Sequence, residues 1–273
     1  MINNSGGKLL HKLFILFFLF FVSFSSLNAN EITFDISTYE YEEVNTSTGG
    51  TYFMSDKSNP VFASIGIRNW DEGILNKYKP MLLENYHLLY TYEFTRGDVE
   101  YNSASSGTLD RRPYFKNRIE GYIARSINKK LKLFVGVGFR SLQDEGGGNR
   151  TSSGGVFYDR HSKYLYYPLG LIYNYKSWSL KSQYNLWGEG KQKSFLGKQD
   201  STYLDTENTQ NYGYGFDITL RKKVTEKISI YLFDRYWSVD DSDWRIAKKD
   251  QSTILQEPQN ETFELGGGIS YKF

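Results

Sequence analysis

From residue 31 onward, apolar and polar residues alternate along the chain. Between Leu131 and Leu142, the odd positions hold Leu131, Leu133, Val135, Val137 and Phe139, and the even ones Lys132, Phe134, Gly136, Gly138 and Arg140. Between Asn211 and Arg221, Tyr212, Tyr214, Phe216, Ile218 and Leu220 oppose Gly213, Gly215, Asp217, Thr219 and Arg221. From Arg112 to Ile127, Phe115, Ile119, Ile123 and Ile127 oppose Arg118, Glu120 and Tyr122. A period of two places each set on one face of an extended strand. No stretch beyond residue 31 carries the helical period, so the chain is predicted to be all-β.

Ten such segments are expected, near residues 31–43, 60–70, 82–97, 113–127, 131–143, 158–175, 177–190, 211–222, 227–239 and 260–273. Their connections alternate between tight turns (128–130, around 176, 223–226) and long loops (44–59, 98–112, 144–157, 191–210, 240–259). Short turns at one end and long loops at the other are the asymmetry of a transmembrane barrel. The expected fold is therefore a ten-stranded antiparallel transmembrane β-barrel, with eight or twelve strands as the alternatives. The connection 71–81 is longer than its place among the short turns predicts.

Alternation alone does not say which face is wet. The polar face decides it, because glycines (Gly136, Gly138, Gly213, Gly215, Gly266, Gly268) stand there beside long charged side chains, as the interior of a small barrel requires. The apolar face carries aromatics toward its ends: Tyr86, Tyr90, Tyr92 and Phe94, then Tyr167, Tyr173 and Tyr175, then Trp178 and Tyr184. These match the girdles of a membrane interface. In hydrocarbon only a closed sheet leaves no backbone edge unpaired, so the first and last segments should pair with each other.

The last segment alternates to its end, with Ile269, Tyr271 and Phe273 on the apolar face. This ending resembles the C-terminal signal by which outer-membrane barrels of Gram-negative bacteria are recognised by their assembly machinery. At the other end, Lys8, His11 and Lys12 precede the apolar run Leu13 to Val22 and then a small, polar stretch. That order is a secretory signal, and the run is too short to span a bilayer as a helix. Residues 1–29 are expected to be a signal peptide cleaved after Ala29, with Ser26 the alternative end, and residues 30–273 the barrel. The resemblance implies the cell outer membrane as location, with outer-membrane lipids, lipopolysaccharide and the assembly machinery as partners.

Composition narrows the function further. The chain has no cysteine, which excludes disulfide, zinc-thiolate and lipid-anchored designs. With 33 basic and 31 acidic residues there is no electrostatic case for nucleic acid. No residue set calls for a metal or another cofactor. Counting from the turns places inward charges at similar heights on neighbouring strands: Glu93 with Arg118, Glu120 with Arg140, and Arg235 with Glu264. The expectation is an ion-pair layer across the lumen, packed by Tyr122, Trp187, Tyr231, Phe233 and Trp237, which either plugs the barrel or selects ions in a narrow pore.

Candidate chemistry is sparse. Only His87 and His161 follow the signal. Asp159-Arg160-His161 is similar to the Asp-x-His pair of omptins, ten-stranded outer-membrane proteases in which that pair and a second aspartate pair hold a water. The resemblance implies a surface hydrolase centred on Asp159 and His161, but no matching aspartate pair is found. A lipid-facing serine esterase needs a histidine on the outer wall; His87 faces inward by parity and His161 sits near the strand's outer end, so neither is well placed. Arg96-Gly97-Asp98 is an adhesion tripeptide if displayed on a loop and otherwise a strand-end turn. Asp240, Asp241 and Asp243 lack the spacing of a calcium loop. Lys191, Lys193 and Lys198, and Lys248 and Lys249, are candidates for lipopolysaccharide phosphates. Gly146 to Gly148 mark a flexible loop tip. Two classes stay open: a non-enzymatic structural, narrow-pore or surface-binding protein, and an omptin-like hydrolase; the surface ligand is not legible.

Overall fold

A computed structural model describes residues 30–45, 51–69 and 85–273. The segment 1–29, expected to be a signal peptide, and the connection 71–81 lie outside the described residues. Fourteen strands follow in chain order: β1 (Glu31–Asn45), β2 (Thr51–Ser58), β3 (Phe62–Asn69), β4 (Tyr86–Ser103), β5 (Gly107–Ser126), β6 (Leu131–Asp144), β7 (Arg160–Tyr175), β8 (Trp178–Ser194), β9 (Thr206–Gln210), β10 (Gly213–Lys223), β11 (Ile228–Val239), β12 (Arg245–Ile246), β13 (Ile254–Leu255) and β14 (Gln259–Lys272).

Twelve of these form one antiparallel sheet, in which β2 and β3 both bridge β1 to β4, and β9 and β10 both pair with β8. Each couple is one wall strand with a break, so the wall has ten staves. Pro60 lies in the first break and has no N–H to give a ladder. β1 zips against β14 from Glu31↔Lys272 to Val44↔Gln259, which closes the barrel. The remaining pair, β12 and β13, is a small hairpin inside the connection between β11 and β14.

The wall extends well beyond the expected segments. Three stretches expected as loops are partly strand: β1 and β2 continue to Asn45 and from Thr51, β4 and β5 meet at Ser103↔Gly107, and β8 runs to Ser194 against β9. Their outward positions there are polar, such as Glu40, Glu42 and Lys191, so the apolar signature used to find strands fades although the ladder does not.

Side chains are sorted as in a membrane barrel. Leu232, Val135 and Ile36 are 65%, 62% and 60% exposed on the outer face, where in water they would form one continuous greasy wall. On β7 the outward row runs from Leu165 to Tyr175, about 25 Å of height at ~3.3 Å per residue and a tilt near 40°. Tyr92, Tyr167, Tyr173, Tyr175, Trp178 and Tyr184 stand outward as expected of girdle residues, whereas Tyr90 is buried. Ile269, Tyr271 and Phe273 stand on the same outer surface. The inward glycines make room for rings: a Cβ on Gly138 would lie 2.2 Å from the Tyr166 ring, and one on Gly215 2.7 Å from Trp237.

Candidate functional site in the barrel lumen

The lumen is filled by charged tiers separated by aromatic rings. Next to the short turns, Arg221 binds Glu31 together with the Ser229 hydroxyl at 3.0 Å, and Tyr231 donates to Asp35 at 2.7 Å. In the middle tier, the Arg235 guanidinium grips Glu93 through two bonds of 2.6 and 2.7 Å and lies 3.5 Å from Glu264. Lys116 reaches Glu264 at 2.6 Å, and the Ser37 hydroxyl donates to it at 2.7 Å. Arg118 binds Glu120 at 2.6 Å and also Asp217, while Tyr166 and Gln183 donate to Glu120 at 2.9 and 2.7 Å. Every one of these carboxylates is held by donors, the condition under which buried charge persists.

Above this tier Tyr39, Phe62 and Tyr114 stack with centroids 4.9 to 5.8 Å apart, beside Tyr164 and Trp187 at 5.3 Å. The outer tier follows. Arg112, fully buried, makes two bonds to Asp144 at 2.5 and 2.9 Å and pairs with Asp56. Arg160 binds Glu43 at 2.6 Å and lies 3.2 Å from Asp144 and 3.4 Å from Asp56. Glu257 enters from the connection between β11 and β14, accepts from Ser194 at 2.9 Å and is 4% exposed. Burial drives its carboxyl up from 4.5 to about 7, Glu43 adds to this, and Arg160 opposes it. Burial likewise raises Asp56 to about 6, against the pull of Arg112.

The predicted lumen residues therefore lie inside, but with different partners. Glu93 and Arg118 are opposite in the ladder, yet Glu93 pairs with Arg235. Glu120 pairs with Arg118, not with Arg140. Arg235 and Glu264 are brought together. Counting along neighbouring strands fixes Cα height, but long side chains in a narrow lumen reach across it, so the wall neighbour is not the chemical neighbour. Lys116, Asp217, Arg112, Asp144 and Glu257 belong to the networks and were not singled out in the sequence; the inward parity of β5 pointed to Arg112 and Lys116.

Among the described residues, no hydrogen bond joins Asp159 to His161. Asp159 accepts from the Gly147 N–H at 2.8 Å and lies 3.5 Å from Lys198. His161 stands on the outer face of β7, edge-on to Phe195 at 4.8 Å, and makes no hydrogen bond among the described residues. Burial, with Lys198 and Lys163, holds its imidazole below the ordinary value against Asp159 and Glu145. His87 faces Ser126 at 2.9 Å near the opposite end of the wall. Arg96-Gly97-Asp98 lies within β4, paired with Phe115, Tyr114 and Pro113, and is not displayed on a loop. Asp243 is engaged by the Thr209 N–H at 2.7 Å and by Arg245 at 2.5 Å.

A bulge re-aims the lysines of β8. Leu165 pairs with Glu189 and Tyr166 with Trp187, leaving Gly188 as the extra residue. The inward row therefore switches from Lys181, Gln183 and Asn185 to Gly190, Gln192 and Ser194, and Lys191 and Lys193 turn outward. They stand opposite Lys163 and His161 of β7, just above the apolar band.

No protein-family model and no curated protein matches the chain. Among solved structures, the outer membrane protease OmpT from Escherichia coli aligns over 90% of this chain and 98% of its own at 14% identity and a TM-score of 0.46. The Neisserial surface protein A aligns over 90% and 98% at 12% identity and a TM-score of 0.35. The translocator domain of the autotransporter NalP from Neisseria meningitidis aligns over 98% of both chains at 10% identity and a TM-score of 0.38. These are likenesses of fold alone. The closed ten-stave wall, apolar outside and charged inside, is an outer-membrane-type β-barrel in its own right.

Proposed function

We propose that this chain is a non-enzymatic barrel of the outer membrane whose lumen is a structural plug and whose outer extensions carry a surface-binding role. One observation carries the reading: the lumen is packed from Glu31 to Glu257. Trp237, Arg112, Tyr39, Tyr164 and Tyr166 are all at most 2% exposed. Three cavities between the tiers, among the described residues, measure about 40, 20 and 10 Å³, each with room for a few waters at most. Within the reading, Ile269, Tyr271 and Phe273 serve the assembly machinery, and lipopolysaccharide surrounds the outer girdle. The hydrolase alternative draws no support from Asp159 and His161, which are engaged separately. Planar-bilayer recording of the refolded chain tests the plug: no resolvable unitary steps are expected at 1 M KCl, a salt level chosen as roughly the Debye-screened limit. Stable, ion-selective steps would replace the plug by a narrow pore.

A further inference from the structure

We propose that the middle of the lumen holds a buried binding site for a monovalent anion of about chloride size, centred on Arg140. Arg140 and Arg118 face each other across the ladder between β5 and β6, a like-charge pair that a sheet tolerates only when both charges are answered. Arg118 is answered by Glu120 and Asp217. Arg140 is 6% exposed and, among the described residues, makes neither an ion pair nor a hydrogen bond; its Nη1 is fully buried with no acceptor. Its protein contacts are ring faces, those of Trp237 at 5.1 Å and Tyr164 at 5.9 Å.

The remaining charges cannot supply the missing acceptor. A cavity of about 20 Å³ is lined by Arg140, Lys116, Arg118, Arg235 and Trp237, with Glu93 and Glu264 as the carboxylates. Glu93 is held by both bonds from Arg235, and Glu264 by Lys116 and Ser37. Arg118, also on this cavity, shares Glu120 and Asp217 with the neighbouring Lys181, so Arg140, Lys116 and Arg235 are left with two carboxylates between them, and a buried guanidinium without a counter-charge is among the costliest arrangements a fold can keep. One small anion in that cavity restores neutrality and accepts from Arg140. The volume fits a single particle near water size, which selects a halide and excludes phosphate, sulfate or an organic acid. This goes beyond the closed-lumen reading, because a buried ion site is read by stability and scattering and not by conductance.

The test uses the full chain refolded in detergent, at fixed pH and ionic strength, in sodium chloride, sodium bromide or sodium gluconate. Chloride or bromide at about a hundred times the dissociation constant is expected to shift the folded-to-unfolded ratio roughly 100-fold over gluconate. Arg140→Met is expected to erase that difference. Crystals grown in bromide should show an anomalous peak in the cavity beside Arg140, a readout that stands even if the variant does not fold. Equal stability in the three salts, or scattering from Arg140's cavity that fits water and carries no bromide signal, overturns the proposal.

Discussion

Glu257→Gln separates the packing of the outer tier from its charge. The wild-type carboxyl is buried against Ser194, Gln192, Arg160 and Glu43, with Tyr41, Tyr158 and Tyr164 close enough to feel its charge. Its proton affinity in place is that of a group near pH 7, against 4.5 when released. The raised value means that the seated loop binds the proton more tightly than the released one. Seating is therefore unpenalised below pH 4.5, weakens as pH rises from 4.5 to 7, and is penalised by a constant amount above that. At about 1.4 kcal/mol per tenfold change in proton affinity, the full penalty is about 3 kcal/mol. Glutamine keeps the acceptor for Ser194 and never ionises. Hydrogen exchange, corrected for intrinsic rates, reads the seat through Ser242 N–H, bonded to the Glu257 carbonyl, and Asp243 N–H, bonded to Thr209. Wild-type protection should fall on the order of 100-fold between pH 5 and pH 9, while the variant stays nearly flat. Asp56, also raised, is present in both chains, so the difference between them belongs to Glu257. An equal fall in both chains would refute the reasoning.

Two further outcomes follow from the same geometry. Arg112→Met leaves Asp56 and Asp144 buried without their principal cation and should cost about 3 to 5 kcal/mol, seen as a lower temperature for the shift between unheated and heated gel mobility; Arg112→Lys should restore only part of it, since the two bonds to Asp144 need a guanidinium. Replacing Lys163, Lys191 and Lys193 together by glutamine should weaken lipopolysaccharide binding tenfold or more, at roughly 1 kcal/mol per lysine near an anionic surface and with Glu189 already claiming part of Lys191. Lipopolysaccharide retained per barrel after size exclusion measures it.

What the sequence made legible, and what it did not, divides at the bilayer surface. Within the apolar band each outward position must be greasy and each inward one polar or small, so Leu131 to Phe139 reveals its strand, its faces and its Gly138 notch without help from other residues. Above the band the outer face is wet and that contrast disappears. Val99, Tyr101 and Ser103 continue the inward row of β4, yet nothing in their composition separates them from a loop. The ladder there is held by backbone pairing and by inward groups such as Arg112, whose partners come from β2 and β6. The lumen was legible as a set of charges but not as a network. Glu120 and Arg140 stand at heights that invite a pair, and the pairing fails because Arg118, on Glu120's own strand, reaches the same carboxylate at 2.6 Å. That displacement leaves Arg140 without a carboxylate, so one of the two mistaken partners in the sequence reading marks the place where the barrel's interior lacks a protein acceptor.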